Sequence, residues 1–297
     1  MKKKNSWSIL TSRSVGEKVL YAFVFAAFVI YSFTLVFPVL WMIMASFKGS
    51  MEYLMDLGST KAFSLPDKWL FSNYREAFSM LNTEKASFFG MIFNSLWYTA
   101  LVTALGVFVP AVTGYVMSKY EFKGKNVIFT VAITSMVIPI VGNTASYMQV
   151  IAFFGVYDSP VYAIITSLGG FGGSFLVYYG FFKAVSSAYM EAAKIDGANP
   201  FVIFFKVMLP QGVPIMLTYA ITGAIGNWNE YNTMILYLPS FPTLASGLFE
   251  YQDNAVRAIN YPVYYAGLLI SMIPTIALFA AFSEKIMTSL SIGGRKG

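Results

Sequence analysis

Six long apolar stretches, separated by segments that hold most of the charged residues, constrain this chain more than any other feature. About twenty consecutive apolar residues suffice to cross the hydrocarbon core of a bilayer as a helix. Backbone polar groups find no water in that core, so a spanning segment must satisfy its hydrogen bonds internally. The pattern predicts an all-α, polytopic membrane protein with six transmembrane helices, near residues 20–45, 91–117, 127–157, 161–182, 215–238 and 263–282.

The composition excludes several classes of protein. Charged residues make up 11% of the 297 residues, whereas soluble domains carry about 25%. The chain has no cysteine, which excludes disulfides and cysteine zinc sites. It has no histidine either, so the commonest general base and metal ligand is absent, and we predict neither a metal site nor a catalytic site. We interpret the net charge of +6 as a sign of membrane topology rather than of nucleic-acid binding, because the basic residues alternate between segments.

The basic residues also predict the orientation of the chain. Segments assigned to the cytoplasm hold fourteen Lys and Arg residues, and those assigned outside hold six. Residues 1–18 form a basic cytoplasmic segment that resembles the start of a signal peptide. The apolar run after it is too long for one, so it is predicted to remain as the first helix. Residues 47–90 form a long extracytoplasmic loop with a short amphipathic helix near 71–78, and both termini are cytoplasmic.

Glycine, proline and polar residues interrupt three of the apolar stretches. Pro139, Gly142 and Asn143 predict a bend in the third. The fourth contains SLGGFGGSF at 167–175, whose glycines let a helix or a ligand approach the backbone closely. The fifth contains GNWNEYN at 226–232, near its middle. Six residues are candidates for a substrate path, with helix packing or bracing as the alternative role: Asn143, Gly170, Phe175, Tyr178, Asn227 and Glu230.

The segment 183–212 is a predicted cytoplasmic loop, and its part at 190–210 carries four charges and predicts two short helices around a glycine. Gly197 suits the C′ position after the first helix, where φ is positive. Asn199 suits the N-cap of the second helix, and Pro200 suits its first position. Pro210 is predicted to end that helix. At α-helical spacing, four residues form one apolar stripe: Phe201, Phe204, Phe205 and Met208.

No G-x-x-x-x-G-K-[ST] sequence occurs, so the chain has no P-loop of its own for ATP. Transport against a gradient would therefore depend on ions or on another subunit. EAA at 191–193, followed by Gly197 and by LP at 209–210, resembles the EAA loop of ABC importer permeases. Val207 stands where that pattern has isoleucine, and VSSAYM precedes the motif where members often have proline and acidic residues.

Further segments narrow the resemblance to carbohydrate-uptake permeases of the MalG type. They are FSNYREAF at 71–78, TGYVMSKYEFKGK at 113–125, EAAKIDGA at 191–198, GNWNEY at 226–231 and a short glycine-rich tail. The resemblance covers the chain from about Phe71 to Gly297. It implies one transmembrane permease domain over residues 1–297, in the cell membrane of a bacterium or an archaeon.

The resemblance also implies partners and roles. The chain would be a non-catalytic subunit without a cofactor of its own, with ATP and Mg²⁺ bound by two copies of a cytoplasmic ATPase. A second homologous permease would complete a heterodimer, and an extracytoplasmic binding protein would deliver the carbohydrate. Membrane lipid is a further partner, and nucleic acid is not. Contacts with the ATPase are implied for Glu191, Ala192, Ala193, Asp196, Gly197, Phe204, Leu209 and Pro210.

Each of these assignments has a less specific alternative. The EAA segment could be an interfacial loop with a solvated charged face. Phe249, Tyr251 and Gln252 lie in the outer loop that resembles the one meeting the binding protein, and a plain solvated loop is the alternative. An ion-driven secondary transporter is the alternative function. It would need ionisable residues near the middle of the bilayer, where the chain offers essentially Glu230. A membrane-embedded enzyme lacks a catalytic constellation.

Overall fold

The chain is helical, as the sequence predicts, and the computed structural model describes residues 14–138, 142–257 and 260–293. No strand occurs within these residues. The basic residues before residue 14, Pro139 and the last four residues lie outside them. The helices are α1 Val15–Ser46, α2 Ser50–Leu57, α3 Ser72–Met80, α4 Phe88–Lys119, α5 Lys125–Val137, α6 Thr144–Phe153, α7 Pro160–Ser167, α8 Gly173–Ala184, α9 Ala188–Ile195, α10 Pro200–Trp228, α11 Asn232–Tyr237, α12 Leu244–Arg257 and α13 Tyr261–Gly293.

Three of these helices are long and apolar enough to cross a membrane. They are α1 and α4 with 32 residues each and α10 with 29 residues, against the roughly 20 that a bilayer requires. Two shorter apolar helices, Lys125–Val137 and Tyr261–Ala277 within α13, coincide with further predicted spans. The helical class is thus confirmed, and the count of six spans stays a prediction.

The breaks between helices differ from the predicted pattern. The third stretch is interrupted around Gly142, whose φ is +74°, as expected. The fourth, predicted as one helix, is instead broken at 168–172 between α7 and α8. The glycines there favour this break, because glycine has a low helix propensity and loses more entropy than any other residue on ordering.

The fifth stretch also departs from its predicted bounds. Its helix begins at Pro200 and ends at Trp228, and α11 follows after a break at 229–231. The prediction that Pro210 ends the preceding helix is wrong. A π-helical turn over Ile203–Met208 carries the chain into an α-helical segment that starts at Leu209. Pro210 lies in the first turn of that segment, where a missing N–H is tolerated.

The described residues of 1–79 and 254–270 form one compact unit. The predicted helix at 71–78 is confirmed as α3. Its buried face is not the aromatic one, however, since Phe71 is 69% exposed while Asn73 and Ala77 are buried. The Asn73 amide donates to the carbonyls of Ser46 and Lys48, at 2.8 and 2.9 Å. These hydrogen bonds tie α3 to the end of α1.

The residues of 80–253 and 271–293 form the second unit. Its described residues include a pair of hydrophobic clusters. We call the first the Tyr115 cluster, which is built from α4, α8, α9 and α10: Val107, Ala111, Tyr115, Tyr178, Phe182, Met190, Ile203, Phe204 and Met208. We call the second the Tyr162 cluster, which is built from α4, α6, α7 and α11: Tyr98, Ile151, Tyr162, Ala163, Met234 and Leu238. Helix α4 contributes to both clusters.

Candidate functional site

The EAA segment, residues 188–210, has the local geometry that its sequence predicts. Gly197 has φ +80° and follows α9 at the C′ position. Its N–H donates to Lys194 O at 3.0 Å, and the Ala198 N–H donates to Ala193 O at 2.9 Å. This pair of bonds is the Schellman motif, which satisfies the last carbonyls of a helix. The next helix begins with Asn199 Oδ1 accepting from the Val202 N–H at 2.9 Å, and with Pro200 in its first turn.

Helix α9 of this segment divides into a buried and an exposed side. Met190 is buried in the Tyr115 cluster, and Ala193 packs against the same cluster. Glu191, Ala192 and Asp196 are exposed. Ile195 lies among them and is 86% exposed. Sequence analysis did not select Ile195, although an isoleucine between charged residues at a helix end was a usable signal.

The predicted single stripe of Phe201, Phe204, Phe205 and Met208 is wrong. Phe204 and Met208 are buried, whereas Phe201 is 76% exposed and Phe205 is 49% exposed. Phe201 lies in the first α-helical turn, whereas the other three lie in the π-helical turn, whose wider spacing differs from the α-helical period that the stripe assumed. Phe204 packs on Tyr115 with ring centroids 4.8 Å apart. It therefore contacts its own chain, and its predicted contact with an ATPase would have to be indirect.

A groove of about 410 Å³ lies between α4 and α10. Asn227 Nδ2 donates to Thr103 Oγ1 at 3.0 Å within it. Pro110 has no N–H, so the carbonyl of Gly106 in the groove lacks its usual partner in the helix. Among the residues that the structure describes, none of those lining the groove is charged. The uncharged lining includes Thr103, Gly106, Tyr219, Thr222, Gly223 and Asn227.

Only one of the six predicted path residues lines this groove, namely Asn227. Gly170 lies so close to Thr113 that a Cβ would overlap its side chain. Phe175 and Tyr178 are fully buried within the chain. These positions favour helix packing, which the sequence left open.

The two remaining path candidates lie at helix ends. Asn143 is exposed at the start of α6, and its side chain caps no N–H there. Glu230 is half-buried, and its Oε1 accepts from the Thr233 N–H at 2.9 Å. Sequence analysis missed Tyr219 and Thr222 on the groove. Their signal was the spacing of Tyr219, Gly223 and Asn227 at intervals of four along one helix face.

The residues predicted to meet a binding protein lie near the start of α4. Leu244 N donates to Ser95 Oγ, and Asn94 Nδ2 donates to Pro242 O, both at 2.9 Å. Phe249 is 48% exposed and stacks on Tyr231 with ring centroids 5.0 Å apart. Gln252 is exposed, whereas Tyr251 is buried. Two of the three predicted contacts are therefore accessible.

The described residues hold no group of three or more acidic side chains that could bind a metal ion. The model of a protein family described as the inner membrane component of binding-protein-dependent transport systems matches residues 106–287, more than half of the chain. The chain belongs to this family. As an inner membrane component, it carries the EAA segment and most of its groove within the matched range.

Individual relatives agree with this family. Over 287 residues the chain is 29% identical to the probable ABC transporter permease protein YurM of Bacillus subtilis strain 168, covering 95% of this chain and 90% of YurM. Over 272 residues it is 28% identical to the diacetylchitobiose uptake system permease protein NgcG of Streptomyces coelicolor, covering 90% and 86%. The predicted resemblance to carbohydrate-uptake ABC permeases is confirmed.

A solved structure has the same fold. It is a bacterial ABC transporter involved in the import of the acidic polysaccharide alginate, and one of its chains superposes with a TM-score of 0.67. The match covers 92% of this chain and 98% of that chain at 19% identity. The fold of this inner membrane component is therefore that of an ABC importer permease.

Proposed function

We propose that this chain is the permease subunit of an ABC importer that translocates a carbohydrate delivered by an extracytoplasmic binding protein. The observation that carries the proposal is the EAA segment. Its turn is fixed by Gly197, and its outer side presents Glu191, Ile195 and Phe201 to a partner. Apolar side chains exposed beside charges are typical of a surface that another protein covers. A solvated charged loop, the alternative role, would not account for two large apolar side chains, Ile195 and Phe201, at 86% and 76% exposure.

In this proposal, a separate cytoplasmic ATPase dimer binds ATP and Mg²⁺ and receives the EAA segment in a groove. Ile195 and Phe201 supply apolar contact area, and Glu191 pairs with a basic residue of the ATPase. The chain itself carries no P-loop. A second homologous permease completes the path across the membrane. Of the other predicted contacts, Ala192, Asp196 and Pro210 are exposed and are proposed to meet the ATPase directly. Ala193 and Leu209 pack against the Tyr115 cluster, so their proposed role is to support that surface.

A carbohydrate suits the groove between α4 and α10. Sugar hydroxyls need neutral donors and acceptors, which Asn227, Thr103 and Thr222 provide. The Tyr219 ring adds an apolar surface for a sugar ring. NgcG, a relative, is named for diacetylchitobiose uptake, which supports an oligosaccharide as the cargo. Asn227 is the path residue that we assign here, and Phe249 with Gln252 the contact for the binding protein.

The proposed topology has six transmembrane helices with both termini in the cytoplasm of a bacterial or archaeal cell. The extracytoplasmic loop is 47–90, and the cytoplasmic coupling loop is 183–212. One contact supports this arrangement. Lys119, the last residue of α4, donates to Val185 O, directly after α8. Two predicted spans therefore end side by side, next to the EAA segment.

The test reconstitutes the complete importer in proteoliposomes with its binding protein, loaded with the carbohydrate that it retains on purification. We expect uptake to need internal ATP and to persist when an ionophore removes ion gradients. Gly197→Arg should abolish uptake. Gly124→Arg is the matched control, because Gly124 also has a positive φ, +88°, and open space around it, but lies outside the EAA segment. Normal uptake with Gly197→Arg, or uptake driven by an ion gradient alone, would overturn the proposal.

A further inference from the structure

Lys119 joins the ends of two helices. It is the last residue of α4, and its Nζ donates to the carbonyl of Val185, the residue that ends α8. The last carbonyls of a helix lack intrahelical donors and carry partial negative charge. The ammonium group of Lys119 thus joins the end of α4 to the residue that caps α8. Val185 is followed within three residues by Ala188, the first residue of α9, so this bond holds the start of the EAA segment.

The last turns of α4 hold the other part of the EAA segment as well. The Tyr115 ring contacts Phe182 at 5.5 Å and Phe204 at 4.8 Å between centroids. The Tyr115 and Tyr120 hydroxyls lie 3.2 Å apart. The TGYVMSKY sequence of 113–120 therefore contacts the chain at Val185, just before the EAA segment, and at Phe204, within it.

Helix α4 also reaches the far end of the same unit. Of the described helices that build the two clusters, α8, α9 and α10 contribute to the Tyr115 cluster, and α6, α7 and α11 contribute to the Tyr162 cluster. Helix α4 alone contributes to both. The chain is interrupted between α7 and α8 and between α10 and α11. Helix α4 continues over 32 residues, about 48 Å, past both interruptions, although Pro110 removes one of its backbone hydrogen bonds. A displacement at one end of α4 therefore reaches the other end.

We propose that Lys119 is a positioning residue that fixes the EAA segment to α4. A displacement of the segment then moves α4 and, through it, the Tyr162 cluster, against which Phe241 packs shortly before α12. The inference rests on the proposed function. Without the Lys119 bond, the Tyr115 cluster still joins α4 to Phe204, but the turn before α9 is no longer tied to the end of α4. Part of the displacement of the EAA segment is then lost in that turn, so that fewer carbohydrate molecules are transported per ATP hydrolysed.

The test measures carbohydrate molecules transported per ATP hydrolysed, using the complete importer in proteoliposomes. Lys119→Met keeps the aliphatic length and removes the donor. The free energy of a hydrogen bond from a charged donor to a backbone carbonyl corresponds to about a tenfold change in an equilibrium constant. We therefore expect this ratio to fall about tenfold. ATP hydrolysis and the assembly of the complex should stay near wild type. Lys119→Arg keeps the donors and should restore most of the ratio.

Lys183→Met is the matched control. Lys183 lies in the last turn of α8, at the same end of the unit, but its Nζ sits over the Tyr179 ring at 5.6 Å instead of on a helix end. The ratio should therefore be nearly unchanged. A purely structural role for Lys119 predicts a different result: Lys119→Met would lower uptake and ATP hydrolysis in parallel and leave their ratio unchanged. That outcome would overturn the inference.

A second measurement restores the link covalently. The chain has no cysteine, so a Lys119→Cys, Val185→Cys pair supplies the only two thiols of this subunit. We expect this variant to be uncoupled until a short bismaleimide bridges the two cysteines, and coupled afterwards. Bridging without recovery of the ratio would contradict the inference. If the wild-type importer itself fails to couple ATP to uptake, the proposed function fails instead, so the two failures are distinguishable.

Discussion

The two ends of α4 are held in different ways. Near Lys119, the helix is fixed mainly by close packing: the Tyr115 and Phe204 rings lie 4.8 Å apart, and Gly114 lies directly against Tyr178. Near Ser95, hydrogen bonds from outside the helix are prominent, such as that of the Leu244 N–H to Ser95 Oγ at 2.9 Å.

This difference fits two different tasks. Buried rings interdigitate at the density of an organic crystal, so they form a stiff joint that is costly to rearrange. Backbone and hydroxyl groups can exchange their bonds for water at a small net cost. We therefore expect the Lys119 end of α4 to transmit the movement of an ATPase. We expect the Ser95 end to adjust when α12 and the residues just before it meet a binding protein.

Phe204→Ala should break the packed end with the largest effect. Phe204 is 6% exposed, and its truncation leaves a cavity beside Tyr115 that should lower the free energy of unfolding by about 4 kcal/mol. The measurement is thermal denaturation of the purified subunit in detergent. Phe201→Ala is the control: at 76% exposure it should change stability by less than about 0.5 kcal/mol while reducing ATP-driven uptake. Equal losses of stability in the two variants would contradict the assignment of Phe204 to the packed core and of Phe201 to the exposed surface.

Gly114→Ala tests the close approach of α4 and α8. A Cβ on Gly114 would lie 2.8 Å from both the Tyr178 Cβ and the Tyr179 backbone nitrogen, and neither atom can move without shifting α8. We expect a loss of about 3 kcal/mol from this overpacking. In contrast, Gly180→Ala meets nothing within 4 Å and should be neutral or stabilising, because alanine favours the helix. Unchanged stability of Gly114→Ala would show that the packed end is softer than we describe.

The sequence predicted the local features of the EAA segment well. Gly197, Asn199 and Pro200 act on backbone groups within a few residues, so their types alone specify the turn. The π-helical turn at Ile203–Met208 has no such local signal. It places Phe204 and Met208 in a cluster to which α4 and α8 contribute five residues, and thus depends on residues far away in the chain.

The candidate groove shows the same limit. Asn227 could be chosen from the sequence as a path residue because it is a polar residue in an apolar stretch. Its partner Thr103 lies 124 residues away, and the pairing arises only when α4 packs against α10. The glycines at 168–172 were recognised, yet their effect was assigned to packing or ligand approach. They also break the helix, so that the stretch forms two short helices, α7 and α8.

Ser95→Ala should loosen the hydrogen-bonded end by less. The Leu244 N–H is buried and would lose its acceptor, at a cost of about 2 kcal/mol. Hydrogen exchange of the Leu244 amide should accelerate accordingly. Ser118→Ala, at the other end of the same helix, removes only a local bond to Tyr115 O and is the matched control. Slow exchange of Leu244 in Ser95→Ala would mean that other contacts hold the loop.

Asp158→Ala is expected to have the smallest effect, because its contacts lie at the edge of the hydrogen-bonded end. Asp158 has φ +53°, and its carboxylate accepts from the Ser240 N–H at 2.8 Å and from the Ser240 hydroxyl at 2.6 Å. Both bonds are exposed to water, where their net contribution is small. The loss on substitution by alanine therefore comes mainly from the left-handed backbone, at about 1 kcal/mol. Asp158→Asn keeps an acceptor and tolerates that backbone, so it should be close to neutral. Hydrogen exchange of the Ser240 amide distinguishes the variants. A loss for Asp158→Ala as large as that for Gly114→Ala would remove the contrast between the two ends, since the polar end would then be as rigid as the packed one.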